Sequence, residues 1–411
     1  MALLLWGLLC ATSSAAIFEI AEPKDKTTTY QGVLYLKGQS SNLSALTVNG
    51  TSIDVKPDGT FICGLVLRRG KNLVQVTGWD KSGKVETKNI RVLHLIVFPD
   101  VEQKYGERYH WARREIITLS TLGIVEGFPD GNYYVDRELS RGEVATYLAR
   151  AKNLPKVYLQ TDPFTDVPKE HWRAPYIAAI ANQGWMSGKA GAFGMDEGLR
   201  REQVAGIVAK IEGKKASEDI EALFYDVPKS DPYAYSIALV RKRGLIKGVS
   251  KQTPLFDPNR AMTRAEGAIL FSRFSFVKQM QKWLYDFNQG YNKATLSGIN
   301  TQPRIIWVNI TPPQISLLNE TNQVNIVAKV EDREGLKNIV NVRADISQLG
   351  GPPDALLEDS GKMGDAKADD GQFTLSFITS TEVWGDKFID VTVLDKYGWE
   401  AAARGTITVV R

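Results

Sequence analysis

Along this chain the spacing of hydrophobic and polar positions changes period twice. From residue 17 to about 97, apolar positions come in short runs such as Val33 to Gly38, Leu46 to Gly50, Phe61 to Leu67, Asn72 to Thr77 and Lys88 to Leu95. Asn49-Gly50, Pro57-Asp58-Gly59 and Asp80-Lys81-Ser82-Gly83 punctuate them, which predicts an antiparallel β-sandwich. Helical spacing then takes over, at Trp111 to Leu122, Val144 to Ala151, Tyr176 to Gln183, Val204 to Ile211 and Phe276 to Phe287. Beyond Pro303, Pro312 and Pro313, two-residue alternation returns in Gln323 to Val330, Gln372 to Phe377, Asp390 to Asp395 and Thr406 to Val410. The expected architecture is therefore multidomain, an all-α centre between two all-β sandwiches. Its expected boundaries are 17–97, 98–276, a helical extension and linker at 277–302, and 303–411.

The helical centre repeats itself three times, over 98–155, 164–214 and 224–276. The units open with Phe98-Pro99-Asp100-Val101, Phe164-Thr165-Asp166-Val167 and Phe224-Tyr225-Asp226-Val227. His110-Trp111-Ala112 and His171-Trp172-Arg173 follow, with Pro232-Tyr233-Ala234 in the third unit. Each first helix runs into a glycine pair, Gly123 and Gly127, Gly184 and Gly188, or Gly244 and Gly248. Glycine there permits a left-handed helix end. The second helices begin at Leu139-Ser140-Arg141-Gly142-Glu143, Leu199-Arg200-Arg201-Glu202-Gln203 and Met262-Thr263-Arg264-Ala265-Glu266. Ser140 with Glu143, and Thr263 with Glu266, have the spacing of capping boxes.

All of these features serve structure. The arginines Arg141, Arg201 and Arg264 are different. Each stands at the first helical position, where the helix dipole disfavours a cation by roughly 0.3–1 kcal/mol. Two explanations are open: a guanidinium fork beside helix-end amides that receives a carboxylate or phosphate, or a salt bridge to Asp100, Asp166 or Asp226 within the repeat.

Taken together, the FxDV opening, the HWA element, the glycine pair, Pro129-Asp130-Gly131 and the SRGE/TRAE helix start resemble S-layer homology repeats, three in tandem. The resemblance implies a pseudo-threefold helical prism. Its grooves would bind secondary cell-wall polysaccharide or a peptidoglycan-associated glycan, often through a pyruvylated sugar, and so tether the protein to the bacterial envelope. It implies Arg141, Arg264 and Arg201 as carboxylate contacts, in that order, and Trp111 and Trp172 as sugar-facing aromatics. Gly127 and the FxDV aspartates complete the candidate set. The three units are unequal: Arg200 replaces the Ser/Thr cap of the second, and the third lacks the tryptophan. The flanking regions, through VNG, DGTF and WDKSGK, are similar to bacterial immunoglobulin-like domains.

Composition adds limits. The 411 residues carry 51 basic and 47 acidic side chains, a net charge of +4 without a basic block, which gives no reason to expect nucleic acid. Leu3 to Cys10 followed by Ala11 to Ala16 reads as a signal segment cleaved after Ala16. That leaves Cys63 alone in the mature chain, expected as a buried thiol, and no transmembrane run. No G-x-S-x-G, HExxH or P-loop motif occurs, so a non-catalytic role is expected, without a cofactor. The oxygen-rich stretch Asp359 to Gly371 offers Asp365, Asp369 and Asp370 as a weak calcium candidate, against a hydrated turn. Self-association into a surface array, or service as the carbohydrate-binding chain of a polysaccharide-degrading system, are the alternative roles.

Overall fold

The computed structural model describes residues 17–40, 42–157, 159–212, 224–249, 253–319, 321–361, 365–379, 381 and 383–411. The expected signal segment, 1–16, lies outside the described residues. So do parts of the third-unit loop after Val249 and of the acidic stretch after Gly361.

Two sheets form the N-terminal domain. Glu19–Glu22, Val33–Gln39 and Thr60–Val66 pair antiparallel in one. The other takes Thr27–Thr29, Val85–His94, Gly70–Asp80, Leu43–Val48 and Thr51–Ser52 in that order across the sheet. Inward residues of both, among them Leu36, Leu46, Phe61, Leu65, Val74 and Val92, share one core. Cys63 is fully buried there, and burial pushes its thiol up to about 12, so it is an inert packing group. The C-terminal domain stacks a three-stranded sheet on a five-stranded one. Val324, Ile326, Ala328, Val391, Val393 and Ile407 point between them. Strict alternation of apolar positions in Asn322–Glu331 and Gly385–Asp395 makes this possible, because successive side chains leave a strand on opposite faces.

Between these domains lie the helices α1 Pro99–Glu102, α2 Arg113–Thr121, α3 Arg141–Ala151, α4 Ala174–Asn182, α5 Arg201–Ile211, α6 Ala234–Lys242 and α7 Arg264–Arg273. Each second helix packs not on its own unit but on the first helix of the next: α3 on α4, α5 on α6, and α7 back on α2. A ring of backbone bonds closes the circle. The Leu139 amide donates to the Met262 carbonyl, Met262 to Leu199, and Leu199 to Leu139, at 2.8–3.0 Å. No unit could bury its apolar stripe alone, so all three contribute to one core.

The segment read as a linker is structured. α8, Ser275–Tyr285, lays Leu284 against Leu93, Leu95 and Ile117, and Tyr285 hydrogen-bonds Thr118 at 2.7 Å. Gly298–Asn300 then pairs with Gly64, Leu65 and Val66 and adds a fourth strand to the first N-terminal sheet. Asn300, fully buried, donates to Asp395 of the C-terminal domain and accepts from Asn338. The two sandwiches therefore touch each other, although the repeats separate them in sequence. Among the described residues, no helix is long and apolar enough to cross a membrane.

Candidate functional site

In each unit the FxDV motif and the loop between the helices form one device. The aspartate accepts the amides of the loop: Asp100 from Tyr133 and Tyr134, Asp166 from Phe193, Gly194 and Met195, Asp226 from Phe256 and Asp257. The second of those loop residues has positive φ every time, 59° at Tyr134, 70° at Gly194 and 59° at Asp257. A left-handed backbone costs energy in tyrosine and aspartate, and the carboxylate offsets that cost by holding the two amides that flank the bend. The loop amides hold Asp166 below the usual carboxylate range against the opposing effect of burial. The motif's phenylalanine packs on the loop aromatic, Phe98 on Tyr133, Phe164 on Phe193 and Phe224 on Phe256, with ring centres 5.2–5.4 Å apart.

The glycine pair divides its labour. Gly123, Gly184 and Gly244 take the left-handed helix end with φ of 67–78°. A side chain on Gly127 would strike the Phe98 ring and the Asn132 carbonyl, so this glycine exists for close packing; Gly188 and Gly248 meet Phe164 and Phe224 in the same way.

The arginines cross from one unit to the next. Arg141 donates to the carbonyls of Phe193 and Ser187 at 2.8 and 2.9 Å. Arg201 does the same to Phe256 and Lys247, and Arg264 to Tyr133 and Glu126. The salt bridge to Asp100, Asp166 or Asp226 that the sequence left open is not what holds these arginines. The aspartates bind loop amides rather than arginines. The helix-end amides are occupied too: Arg141 and Gly142 donate to Glu197 and Met195, Arg201 and Glu202 to Arg260 and Pro258, Arg264 and Ala265 to Arg137 and Val135. The arginine is a strut between repeats, and this role offsets its unfavourable place on the dipole.

Past the strut, the three positions differ. Arg264 is 1% exposed and its remaining nitrogen meets the carboxylate of Glu143 and the Tyr147 hydroxyl. Burial opposes its charge, but Tyr147, Tyr133 and Glu143 outweigh that and push its pKa up. Arg201, 3% exposed, pairs with Glu266 at 3.1 Å. By the same cyclic correspondence the counterpart of Glu143 and Glu266 for Arg141 is the third residue of α5, and that residue is Gln203. Arg141 is half-buried, no carboxylate among the described residues lies within ion-pair distance of it, and burial lowers its pKa against the attraction of Glu197 and Asp166. Glu143 thus has two tasks: one oxygen takes the Ser140 amide in the capping box and the other takes Arg264. Sequence reading found only the first task. The signal for the second was present, since the SRGE and TRAE starts end in glutamate where the second unit ends in glutamine.

Clefts open between adjacent units. The α7–α2 cleft, about 340 Å³, is rimmed by Trp111, 62% exposed, above Lys247, Arg260, Arg273 and the Arg201–Glu266 pair. Arg260 is tied to Glu266 at 2.7 Å, and Arg273 donates to the Leu245 carbonyl. The α3–α4 cleft carries Trp172, 46% exposed, with the Arg173 guanidinium 4.4 Å from the ring centre and Arg150 at 5.5 Å. Between α5 and α6 Tyr233 holds the aromatic slot, against Gly206, and it lies close enough to Arg141 to interact with its charge. Exposed aromatics beside positive charge are equipped to meet the apolar face of a sugar and an acidic substituent.

In the C-terminal domain the acidic cluster is Asp359, Asp365 and Asp370, whose carboxylate oxygens lie within 4.8 Å of one another. Asp369, offered by the sequence, is not part of that cluster; it occupies the left-handed bend beside it, with φ of 58°. Each clustered carboxylate accepts amides of its own loop, Asp359 from Asp370 and Gly371, Asp365 from Gly361 and Lys367, Asp370 from Gln372.

Comparison with known proteins matches the same regions. Residues 18–94 match the family glucodextranase, domain B, and residues 107–145, 163–205 and 223–268 match the S-layer homology domain. The chain is 27% identical over 180 residues to the S-layer protein sap of Bacillus anthracis, covering 42% of this chain and 20% of that protein. It is 29% identical over 168 residues to the surface-layer 125 kDa protein of Lysinibacillus sphaericus, covering 40% and 14%. An uncharacterized cell wall amidase of Bacillus anthracis is 25% identical over 236 residues, covering 54% and 42%. The chain spans less than half the length of each of these relatives.

Proposed function

We propose that this chain, an S-layer homology domain protein with three tandem repeats, attaches non-covalently to the bacterial cell surface through the clefts between its repeats. The ligand is an acidic wall glycan, with a carboxylate-bearing substituent such as a ketal-linked pyruvate at Arg141 and sugar faces against the aromatic slot. The role is one of anchoring, without a catalytic step. The observation that carries this reading is Arg141: a guanidinium fixed by two carbonyls, half-buried, and with no carboxylate among the described residues at ion-pair distance, whereas Arg201 and Arg264 each have one. A half-buried guanidinium without an ion-pair partner can accept one at little further cost in desolvation, and an acidic ligand supplies that charge.

Two of the relatives named above are surface-layer proteins by name, and the likeness of this chain to them supports a surface role. The test is co-sedimentation of the full chain with purified wall sacculi, before and after acid removal of ketal pyruvate. The wild type sediments with untreated sacculi and not with treated ones, and Arg141→Ala stays in solution in both. Equal sedimentation of wild type and Arg141→Ala overturns the arginine's role.

A further inference from the structure

A further cleft, of about 620 Å³, lies where the N-terminal sandwich, the end of α2 and α8 come together. Arg69 and Lys71, at the start of strand Gly70–Asp80, line one part of it. Trp283 of α8 and the following loop residues Gly290 and Lys293 line another. It shares no residue with the α7–α2 cleft and does not include Arg141. The walls are held in place. The Lys71 ammonium donates to the carbonyls of Asp286 and Gln289, both at 2.6 Å, and lies 4.4 Å from the centre of the Trp283 ring. Gly290, at a φ of 76°, closes on the same pair: a side chain there would come within 2.7 Å of the indole and 3.1 Å of the Lys71 chain.

Two features of the lining define a ligand. First, its charge has one sign. Arg69, Lys71 and Lys293 line the cleft, and among the described residues no carboxylate does. Arg69 and Lys293 are exposed, and neither has an ion-pair partner among the described residues. The acid nearest Lys71 is Asp286, whose carboxylate accepts the Asn288 amide and the Gln289 side chain and lines a different cleft. The Arg69 guanidinium lies against Gly123, where a side chain would come within 2.6 Å of it; that contact packs the N-terminal domain on the first repeat and leaves the charge unused. Second, Trp283 is exposed in the cleft, with Lys71 and Gly290 fixing its ring. A small inorganic anion would use the cations alone, and a neutral sugar the indole alone. An acidic pyranose uses both, its carboxylate meeting a guanidinium fork and its C–H face the ring. The volume lies in the ~300–1,000 Å³ range of small-ligand sites.

We propose that this cleft is a second acidic-glycan site outside the repeats, with Arg69 and Lys293 meeting sugar carboxylates and Trp283 a sugar face. It extends the anchoring role but does not depend on Arg141. An acidic polymer that spans both sites is held at two places, and the second contact is then intramolecular. The test is titration calorimetry of full-chain Arg141→Ala, which silences the repeat cleft, with tetragalacturonate, maltotetraose and tetraglutamate. Tetragalacturonate binds saturably at one site, with a Kd of about 0.1–1 mM, and maltotetraose does not bind. Tetraglutamate, of similar charge but without the ring, binds about tenfold more weakly or not at all. Adding Arg69→Gln with Lys293→Gln weakens tetragalacturonate about tenfold. Should Arg69→Gln lower the thermal midpoint through its contact with Gly123, Lys293→Glu alone reads the same site at an exposed position. Failure of the Arg141 reading appears separately, as equal wall sedimentation of wild type and Arg141→Ala. No binding of tetragalacturonate, equal binding of tetraglutamate, or binding indifferent to both Lys293→Glu and the double substitution overturns the second site.

Discussion

Arg264 and Arg141 occupy equivalent positions in a ring that closes on itself, and they live in different electrostatic surroundings. Both begin a helix and donate to two carbonyls of the next repeat. Arg264 then completes a buried cluster with Glu143 and Tyr147, while the residue that corresponds to Glu143 for Arg141 is Gln203. Repetition fixed the scaffold in triplicate, and a change of one functional group, carboxylate to amide, separated a closed structural pair from an open charge. Repeats that fold alike need not bind alike.

The largest effect that would break this comparison is on stability. Arg264→Ala leaves Glu143, which is 4% exposed, with only the Ser140 amide and Arg173 at 4.0 Å, and removing the close member of a buried ion pair costs up to about 3–5 kcal/mol. Arg141→Ala strands no carboxylate and loses two hydrogen bonds of a charged donor at a half-exposed site, about 1–3 kcal/mol. Urea denaturation of the two variants checks the order. Equal losses would mean that the Glu143 pair contributes nothing beyond the strut.

A smaller effect tests the loop into which Arg264 reaches. Gly127→Ala drives a methyl group into the Phe98 ring and the Asn132 carbonyl, next to the Glu126 carbonyl that Arg264 uses. Overpacking of this kind costs about 1–3 kcal/mol. Gly131→Ala, at a φ of 87° with open space around it, serves as the contrast, since it carries backbone strain alone. Thermal unfolding of both separates a packing role for Gly127 from a merely conformational one.

These positions also show what sequence makes legible. Periodicity gave the two sandwiches and the helices, because burial on one face imposes a period that can be counted. The repeat gave the arginine, the aspartate and the glycine pair, because the same residue in the same place three times requires a common cause. What those residues touch was not legible. Asp100 and Arg141 suggested a local salt bridge, but the contacts run from aspartate to loop amides and from arginine to the following repeat. Such partners are set by ring closure, which no local window contains. The meeting of the two sandwiches was hidden for a similar reason: Asn300 pairs with residues 95 and 38 positions away. Gln203 was visible throughout, and its meaning required knowing that it is for Arg141 the counterpart of Glu143.

Changing that residue sharpens the comparison directly. Gln203→Glu gives the α5–α6 cleft the carboxylate that the other two possess. The substitution is isosteric and the Arg200 amide keeps its acceptor, so thermal stability holds or rises slightly. Acidic-glycan binding falls about tenfold, because the ligand must displace an internal carboxylate worth about 1.4 kcal/mol. Wall sedimentation over a range of protein concentration reads the shift. Undiminished binding by a folded Gln203→Glu protein would locate the ligand's charge elsewhere, at the Trp111 cleft with its three further cations.

The smallest effect concerns acid. Burial works against ionised Glu266, but the hydrogen bond from Arg260, the Thr263 amide and the charge of Arg201 outweigh it and hold the carboxyl below its ordinary value of 4.5. A carboxyl depressed on folding contributes stability that is fully present above its unfolded value and is lost as pH falls through the folded one. The paired α7–α2 cleft is therefore intact above pH 4.5 and weakens below it. Thermal midpoints of wild type and Glu266→Gln, measured from pH 6 down to pH 3, isolate the contribution. The wild type is the more stable at pH 6, and the gap narrows below pH 4.5. A gap that stays constant over the range would mean that the difference does not come from the charge of Glu266 on Arg201 and Arg260, since glutamine keeps an acceptor for the Thr263 amide.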